Sequence, residues 1–214
     1  MEFLDEDLQR YADEHTSPEN DLLHEINRQT HLHVMKPRML SGHLQGRLLA
    51  MFSQMIQPKQ VLEVGTYTGY SAICLAEGLQ QDGTLHTIDI NEELEDRVRS
   101  YFRKAGLTGN IKYYIGNALD IIPTIEATFD LVFIDADKVN NGRYYDMVID
   151  KVRAGGYIIT DNVLWSGKVL EKYRKKLDED TAALLAFNKK VHDDPRVENI
   201  LLPVRDGLLI ARKK

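Results

Sequence analysis

The stretch VLEVGTYTGYSAICLA, residues 61–76, runs from a β-branched and apolar segment through two glycines into a helical pattern. It predicts a strand, a glycine turn and a helix whose N-terminal N–H groups can receive a carboxylate or a phosphate. Gly65 and Gly69 are separated by three residues, without the middle glycine that lets a backbone approach a pyrophosphate in G-x-G-x-x-G. No G-K-S/T motif is present, so an ordinary P-loop is excluded.

Short apolar runs alternate with helical patterns from about residue 60 onward, and the first five are separated by segments long enough for one crossover helix each. The runs cover residues 60–64, 84–90, 111–116, 129–135, 156–161, 197–204 and 207–213. They predict an α/β fold with a seven-stranded, mostly parallel sheet and helices on both faces. Only RDG separates the last two runs, so the last strand should run antiparallel to its neighbour.

Residues before the first strand carry a helical pattern of their own. Apolar side chains recur at helical spacing at Leu44, Leu48, Leu49, Phe52 and Met55. Ser17 is a candidate N-cap, with Pro18 at the first helical position. The sequence therefore predicts two or three extra N-terminal helices. It also predicts one domain over residues 1–214, with a helical cap at 1–57 and an α/β core at 58–214.

Composition narrows the class of protein. The chain has 214 residues, of which 43% are hydrophobic, enough for one well-buried core. Its net charge of −6 argues against a protein whose main partner is a nucleic-acid backbone. Cys74 is the only cysteine, which excludes an internal disulfide and a thiolate metal cluster. Because no signal-peptide pattern or membrane-length apolar run is found, we expect a cytoplasmic protein without a membrane partner.

Asp89 stands at the end of the second run, where its carboxylate can accept hydrogen bonds from both hydroxyls of a ribose. A nucleoside cofactor without a pyrophosphate fits both this acid and the glycine turn. S-adenosylmethionine has such a ribose, and its amino-acid carboxylate can meet Ser71 and the start of the helix. Glu63 lies in a buried strand and therefore needs a donor partner. The alternative is a tight turn without a ligand.

The segment FIDADK, residues 133–138, ends the fourth run, and Asp161 and Asn162 end the fifth. Consecutive parallel strands lie about 4.8 Å apart and bind ligands beyond their carboxyl ends, so Asp135 and Asp161 should be neighbours. Two carboxylates that close need a proton or a cation between them. With the amide oxygen of Asn162 they form a ligand set suited to Mg²⁺, Mn²⁺ or Ca²⁺. The alternative is a group of ordinary polar caps.

Lys138 and Asp137 complete this segment. An ammonium beside a divalent ion is pushed toward neutrality, and Lys138 could then accept a proton. Alternatively, Lys138 simply pairs with Asp137 or Asp161. We expect Asp137 to point away from the ion and to serve as a helix cap or a hydrogen-bond acceptor.

Four blocks of the sequence carry a resemblance to a known family, namely EVGTYTGYSA, IDADK, ITDNVLWSG and LPVRDGLLIARKK. Together they resemble the cation-dependent O-methyltransferases, which include the catechol and caffeoyl-coenzyme A enzymes and bacterial relatives. The resemblance implies a class I, Rossmann-like methyltransferase fold, S-adenosyl-L-methionine as the methyl donor, a divalent cation, usually Mg²⁺, and a homodimer. It also implies methyl transfer to one hydroxyl of a small phenolic substrate, a catechol-like vicinal diol.

Position by position, the resemblance implies roles for individual residues. The implied metal ligands are Asp135, Asp161 and Asn162, and the implied catalytic residues are Asp135 and, as general base, Lys138. The implied cofactor contacts are Met39, Leu40, Glu63, Gly65, Thr66, Tyr67, Ser71, Asp89, Ala118 and Asp135. The implied substrate contacts are Lys138, Trp165 and Ser166. Ser166 stands where plant acyl-CoA enzymes have a substrate-contacting asparagine, so phenolic coenzyme A esters are not implied.

Other interpretations stay open. Some bacterial proteins that resemble this family methylate a hydroxyuridine in transfer RNA, and residues 167–176 carry five Lys and Arg side chains, although a solvated helix face explains these too. A nucleoside-binding module without catalysis and an NAD-dependent oxidoreductase are further alternatives, and the latter lacks its glycine pattern. The remaining candidates are histidines and aromatic residues, for which surface placement and core packing are alternatives to zinc binding and ring stacking: His31, His33, His43, Tyr67, Tyr70, Tyr144 and Trp165.

Overall fold

A seven-stranded sheet forms the centre of the molecule in the computed structural model, which describes residues 5–214. The strands are β1 Gln60–Val64, β2 Thr84–Asp89, β3 Ile111–Ile115, β4 Phe129–Ile134, β5 Val152–Asp161, β6 Val197–Leu202 and β7 Leu208–Lys213. Their spatial order is β3-β2-β1-β4-β5-β7-β6. Strand β7 runs antiparallel to both β5 and β6, and the other pairs are parallel. The predicted sheet is confirmed, and the structure adds that β7 inserts between β5 and β6.

Helices surround this sheet. In the described part of the chain they are α1 Glu6–Glu14, α2 Asp21–His33, α3 Gly42–Ile56, α4 Tyr70–Ala76, α5 Glu95–Lys104, α6 Ala118–Ile121, α7 Asn141–Ile149 and α8 Glu179–Asp193. Three of them precede β1, as predicted. No helix within residues 5–214 combines the length and the apolar character that a membrane crossing requires.

The start of α2 differs from the prediction. Asn20, not Ser17, is the N-cap, and its side chain accepts a hydrogen bond from the Leu23 N–H at 2.9 Å. Asparagine caps a helix as well as serine does. The preceding residues do not join the helix, and Glu19 there accepts hydrogen bonds from Tyr70 and, at 3.2 Å, from Asn27. The proposed cap at Ser17 was therefore wrong by three residues because a tertiary contact uses this segment.

Apolar side chains pack on both faces of the sheet. Val61, Leu131 and Phe133 face a cluster that includes residues of α2 to α5. The residues next to them in sequence, such as Leu62 and Val132, face a second cluster with residues of α6 to α8. Burial of each such side chain contributes about 1.5–3 kcal/mol. This alternation confirms helices on both faces, whereas the division of the chain at residue 57 stays a prediction.

The sheet topology brings the carboxyl ends of the five parallel strands β1 to β5 to one edge. The chain passes from β1 outward to β3 and then returns to β4 on the other side of β1. The Gly65 N–H donates to the Ile88 carbonyl oxygen at 2.9 Å, and the Asp135 N–H donates to the Val64 carbonyl oxygen at 2.8 Å. Ligands of open α/β sheets bind at such a reversal of strand order. The residues singled out by the sequence follow these strand ends.

Candidate functional site

The glycine turn between β1 and α4 is packed directly against the end of β4. Gly65 has φ of +104°, and a Cβ there would lie 2.1 Å from the Asp135 carbonyl oxygen. Gly69 has φ of +81° and lies against the ring of Phe102. The sequence predicted these glycines for the approach of a ligand, and the structure gives an additional reason, the close approach of neighbouring chain segments. As a result, the turn and Asp135 are held in contact.

Asp89 ends β2 beside this turn. One carboxylate oxygen accepts the Tyr67 N–H at 2.6 Å, and the other accepts the Asn91 N–H at 2.8 Å. Ala118 begins α6 just after Gly116, whose N–H donates to the Asp89 carbonyl oxygen at 2.8 Å. The Asp89 carboxylate is therefore fixed in direction, and each oxygen keeps a lone pair for a further donor.

Glu63 is fully buried in β1 and has the donors that the sequence required. The Ser71 hydroxyl donates to one carboxylate oxygen at 2.6 Å, and the Thr87 hydroxyl donates to the other. Thr66 in turn contacts the Thr87 hydroxyl at 2.5 Å. Burial raises the pKa of Glu63 to about 8, against the lowering effect of these two hydrogen bonds. The Ser71 hydroxyl, predicted to meet a cofactor carboxylate, is thus already engaged with Glu63.

The segment between α2 and α3 lies over the glycine turn. The Tyr67 hydroxyl donates to the Met35 carbonyl oxygen at 3.0 Å. Met39 ends the 3-10 turn Pro37–Met39 with an exposed side chain, whereas Leu40 is buried in the core cluster on this side of the sheet. The two predicted cofactor contacts of this segment therefore differ in exposure. The Met39 side chain is accessible to a ligand, whereas the Leu40 side chain packs in the core.

Asp135 and Asp161 follow neighbouring strands, as predicted. Asp161 is almost wholly buried, and its two oxygens accept the Gln45 amide N–H and the Asn162 backbone N–H, each at 2.6 Å. Burial and then the negative charge of Asp135 raise the pKa of the Asp161 carboxyl. Asn162 follows with φ of +59°. The chain thus holds an acid pair that repels itself and that a cation would stabilise.

Lys138 is buried and contacts an acid that the sequence did not name as its partner. Its Nζ lies 3.3 Å from an Asp135 carboxylate oxygen. The partners considered from the sequence were Asp137 and Asp161. Asp137 instead accepts the Tyr144 hydroxyl at 2.6 Å and the Asn140 amide. The predicted role of Asp137 as an acceptor is confirmed, although its side chain forms no helix cap.

Asn162 to Gly167 form a strained loop beside the acid pair. Trp165 and Ser166 have φ of +49° and +52°, which are unfavourable for residues with a Cβ. The Ser166 N–H donates to the Asp206 carboxylate at 2.5 Å, and the Leu164 N–H donates to the Asp206 carbonyl oxygen at 2.9 Å. The buried Trp165 Nε1 has no hydrogen-bond partner among residues 5–214. The β6–β7 turn therefore holds this loop in place.

Three residues at the site were not found from the sequence: Gln45, Arg205 and Asp206. Gln45 shares a buried helix face with Leu49 and Ser53, and a long polar side chain on that face was the signal that could have identified it. The two residues of the β6–β7 turn carried only a turn signal. Their contacts join parts of the chain that are far apart in sequence.

Most of the other candidates have hydrogen-bond or ion-pair partners within the protein. Lys168 pairs with Asp178 at 3.1 Å, and the Arg174 guanidinium donates to the Lys168 and Val169 carbonyl oxygens. Two cations of the 167–176 segment thus stabilise their own loop. His31 contacts the Asn27 carbonyl oxygen one helical turn earlier, and His43 contacts the Ser17 carbonyl oxygen. The Tyr70 hydroxyl donates to the Glu19 carboxylate, and the Tyr144 hydroxyl donates to the Asp137 carboxylate. These contacts favour the packing interpretation for both tyrosines.

The predicted metal ligands form a set of two carboxylates and one amide. Within residues 5–214, no three or more His, Cys, Asp and Glu side chains are grouped so that they could hold a metal ion. The set Asp135, Asp161 and Asn162 contains only two residues of those four types. Its hard oxygen donors, and two neighbouring carboxylates that among the described residues only the Lys138 ammonium contacts as a cation, fit a divalent cation with open coordination positions.

Comparison with known proteins gives consistent similarity over almost the whole chain. A family model described as O-methyltransferase matches residues 13–214. Tricin synthase 2 from Oryza sativa subsp. japonica is 34% identical over 205 residues, covering 91% of this chain and 70% of that protein. Caffeoyl-CoA O-methyltransferase 1 from Arabidopsis thaliana is 36% identical over 179 residues, covering 79% of this chain and 69% of that protein.

Solved structures agree with the sequence relatives. An O-methyltransferase from Bacillus cereus in complex with SAH has a TM-score of 0.89 at 30% identity and covers 97% of each chain. The SAH-bound Podospora anserina methyltransferase PaMTH1 has a TM-score of 0.90 at 28% identity, covering 100% of this chain and 98% of that chain. The class I methyltransferase fold implied by the resemblance is thereby confirmed.

Proposed function

Because the chain belongs to the O-methyltransferase family and is an S-adenosylmethionine-dependent enzyme, we propose that it methylates one hydroxyl of a catechol-like vicinal diol with the help of a divalent cation. The observation that carries this proposal is the contact between Gly65 and the backbone of Asp135. It joins the cofactor turn to the first acid of the pair, so that a methyl donor and a chelated hydroxyl can be neighbours.

Residues around the turn would hold the cofactor. Asp89 has lone pairs free for the ribose hydroxyls. The proposed contacts beside it are Glu63, Gly65, Thr66, Tyr67 and Ser71. The remaining proposed contacts are Met39, Leu40, Ala118 and Asp135. Since the Ser71 hydroxyl is hydrogen-bonded to Glu63, we propose that the two side chains together shape the part of the pocket that would hold the amino-acid end of the cofactor.

Asp135, Asp161 and Asn162 would hold the divalent cation, Mg²⁺ first, with Mn²⁺ and Ca²⁺ as alternatives. When bound, the cation supplies Lewis-acid stabilisation of the acceptor's oxyanion and orients its two oxygens. Lys138, buried beside Asp135, would take the proton from the hydroxyl. Trp165 and Ser166, held by Asp206, would contact the acceptor. Bound S-adenosylmethionine would supply the methyl group, and the products would be a methyl ether and S-adenosylhomocysteine, with the hydroxyl proton on Lys138.

The first prediction concerns the cation. Methyl transfer to a dihydroxyphenol should be lost in EDTA and return when Mg²⁺ is restored, because the diol depends on the ion for its orientation and its acidity. Transfer of a labelled methyl group measures this directly, and a phenol with one hydroxyl is the control substrate. Full activity in the chelator would eliminate the metal role.

The second prediction separates the metal from the cofactor. Asp135→Ala should lower turnover by more than about 100-fold. Affinity for S-adenosylhomocysteine, measured by calorimetry, should fall far less, because Asp135 is one of several proposed cofactor contacts and Asp89 and Glu63 remain. Asp146→Ala is the control, since Asp146 is exposed on α7 and pairs with Lys190. Equal losses in both variants would contradict a metal role for Asp135. The homodimer and the cytoplasmic location stay predictions.

A further inference from the structure

Gln45 connects the acid pair to a distant turn. It is fully buried in α3, and its amide Nε2 donates to the Asp161 carboxylate at 2.6 Å. Its Oε1 accepts a hydrogen bond from Arg205 Nη1 at 3.3 Å, and Arg205 Nη1 also donates to the Leu40 carbonyl oxygen at 3.2 Å. A hydrogen-bonded chain thus runs from the β6–β7 turn through α3 to the end of β5.

The chemistry of these three groups allows only one orientation of the Gln45 amide. A guanidinium can only donate and a carboxylate can only accept. The amide oxygen must therefore face Arg205, and the amide nitrogen must face Asp161. The reversed amide would place oxygen against oxygen and N–H against N–H. Arg205 consequently determines that Gln45 presents a donor to Asp161.

This donor fixes one oxygen of Asp161 from outside its own strand. The other oxygen is held by the adjacent Asn162 N–H at 2.6 Å. With both oxygens restrained, the carboxylate cannot rotate freely, and its remaining lone pairs keep a constant direction. Asp161 would otherwise depend on its immediate chain neighbour alone.

Arg205 holds this position at a conformational cost. Its φ is +51°, a left-handed conformation that is unfavourable for a residue with a Cβ. A glycine would adopt it freely, but a glycine would supply no guanidinium for Gln45 and Leu40. The next residue, Asp206, accepts a hydrogen bond from the Ser166 N–H in the loop of residues 162–167. The β6–β7 turn therefore contacts α3 through Arg205 and the loop of residues 162–167 through Asp206.

We propose that Gln45 is a positioning residue for Asp161, that Arg205 orients its amide, and that the two together set the affinity of the cation site. This role rests on the proposed function, because it presumes that Asp161 binds the ion. Loss of a residue that orients a metal ligand typically costs about 10- to 100-fold in affinity.

The test is Mn²⁺ binding to the full-length protein, followed by calorimetry, with Gln45→Met as the variant. Methionine keeps the length of the side chain and removes both hydrogen-bonding groups. We expect its Kd for Mn²⁺ to rise about 10- to 100-fold, affinity for S-adenosylhomocysteine to stay unchanged, and saturating Mn²⁺ to restore most of kcat. Gln54→Met is the matched control, because Gln54 is exposed on the same helix.

A second variant tests the orienting role and covers the case in which Gln45→Met does not fold. Arg205→Ala should weaken Mn²⁺ binding in the same direction but less, and the double variant should bind no more weakly than Gln45→Met, since Arg205 acts through Gln45. Unchanged Mn²⁺ affinity in either single variant would overturn the positioning role and leave the proposed function intact. Absence of Mn²⁺ binding to the unmodified protein would overturn both.

Discussion

Three acids at the site, Glu63, Asp89 and Asp161, are each held by two hydrogen-bond donors. Glu63 is held by the Ser71 and Thr87 hydroxyls, Asp161 by a side-chain amide and a backbone N–H, and Asp89 by two backbone N–H groups. Such bonds reduce the cost of burying a carboxylate but do not remove it. Burial raises the pKa of the Glu63 carboxyl, and its protonation should therefore be measurable in the stability of the protein.

Glu63 gives a prediction with a defined sign. Its pKa is raised from 4.5 to about 8 in the folded protein, chiefly by burial. Between these values the folded chain keeps a proton that the unfolded chain has released. The free energy of unfolding should therefore fall with rising pH, by up to about 1.4 kcal/mol per pH unit from this group. Above about pH 8 both states are ionised and this dependence ends.

The comparison variant is Glu63→Gln, which cannot ionise. Its stability relative to the unmodified protein should increase as the pH is raised from about 5 to about 8. Urea denaturation across this range measures the difference, in which the titration of the other groups largely cancels. A difference that does not change with pH would show that Glu63 has the same pKa in the folded and unfolded chains.

At the scale of elements, the glycine turn acts as a spacer between β1 and β4 as well as the start of α4. The backbone of Gly65 approaches the Asp135 carbonyl so closely that no side chain fits between them. The sequence predicted the turn correctly, because glycine spacing is a local signal. It could not identify the neighbour that makes Gly65 necessary, because that neighbour follows a strand 70 residues later.

Gly65→Ala should therefore destabilise the fold by about 2–5 kcal/mol, since the new Cβ meets backbone atoms and the φ of +104° is unfavourable for alanine. Gly142→Ala is the matched control. Gly142 lies in α7 with no atom within 4 Å of an added Cβ, so alanine there should stabilise the helix by about 0.5–1 kcal/mol. Thermal or urea unfolding distinguishes the two, and similar effects of both substitutions would contradict the close contact.

At the scale of the whole molecule, charge bears on the choice of acceptor. The chain carries a net charge of −6, and Lys168 and Arg174 of the basic segment are engaged with their own loop. Binding of a nucleic-acid backbone requires cations that are free to neutralise phosphates. We therefore propose a small phenolic acceptor in preference to transfer RNA.

We expect a dihydroxyphenol to be methylated and transfer RNA that carries hydroxyuridine to bind only weakly at about 0.15 M ionic strength, where the screening length is about 8 Å. Fluorescence anisotropy of labelled transfer RNA and methyl transfer to each acceptor measure this. Lys175→Ala with Lys176→Ala tests the segment further, and activity on the phenol should be unchanged. Preferential methylation of the RNA, lost in this double variant, would reverse the assignment.

The sequence by itself determined the number of strands and their approximate positions, although β5 begins at Val152, four residues before the predicted run. It also determined the glycine turn and the acids at the ends of β2, β4 and β5, because these depend on local periodicity and on residues next to each other in the chain. Only the tertiary structure decided that β7 inserts between β5 and β6, that Lys138 contacts Asp135, and that Gln45 reaches Asp161 across 116 positions of sequence. Such side-chain contacts depend on how whole elements pack against one another, and a local pattern does not specify that packing.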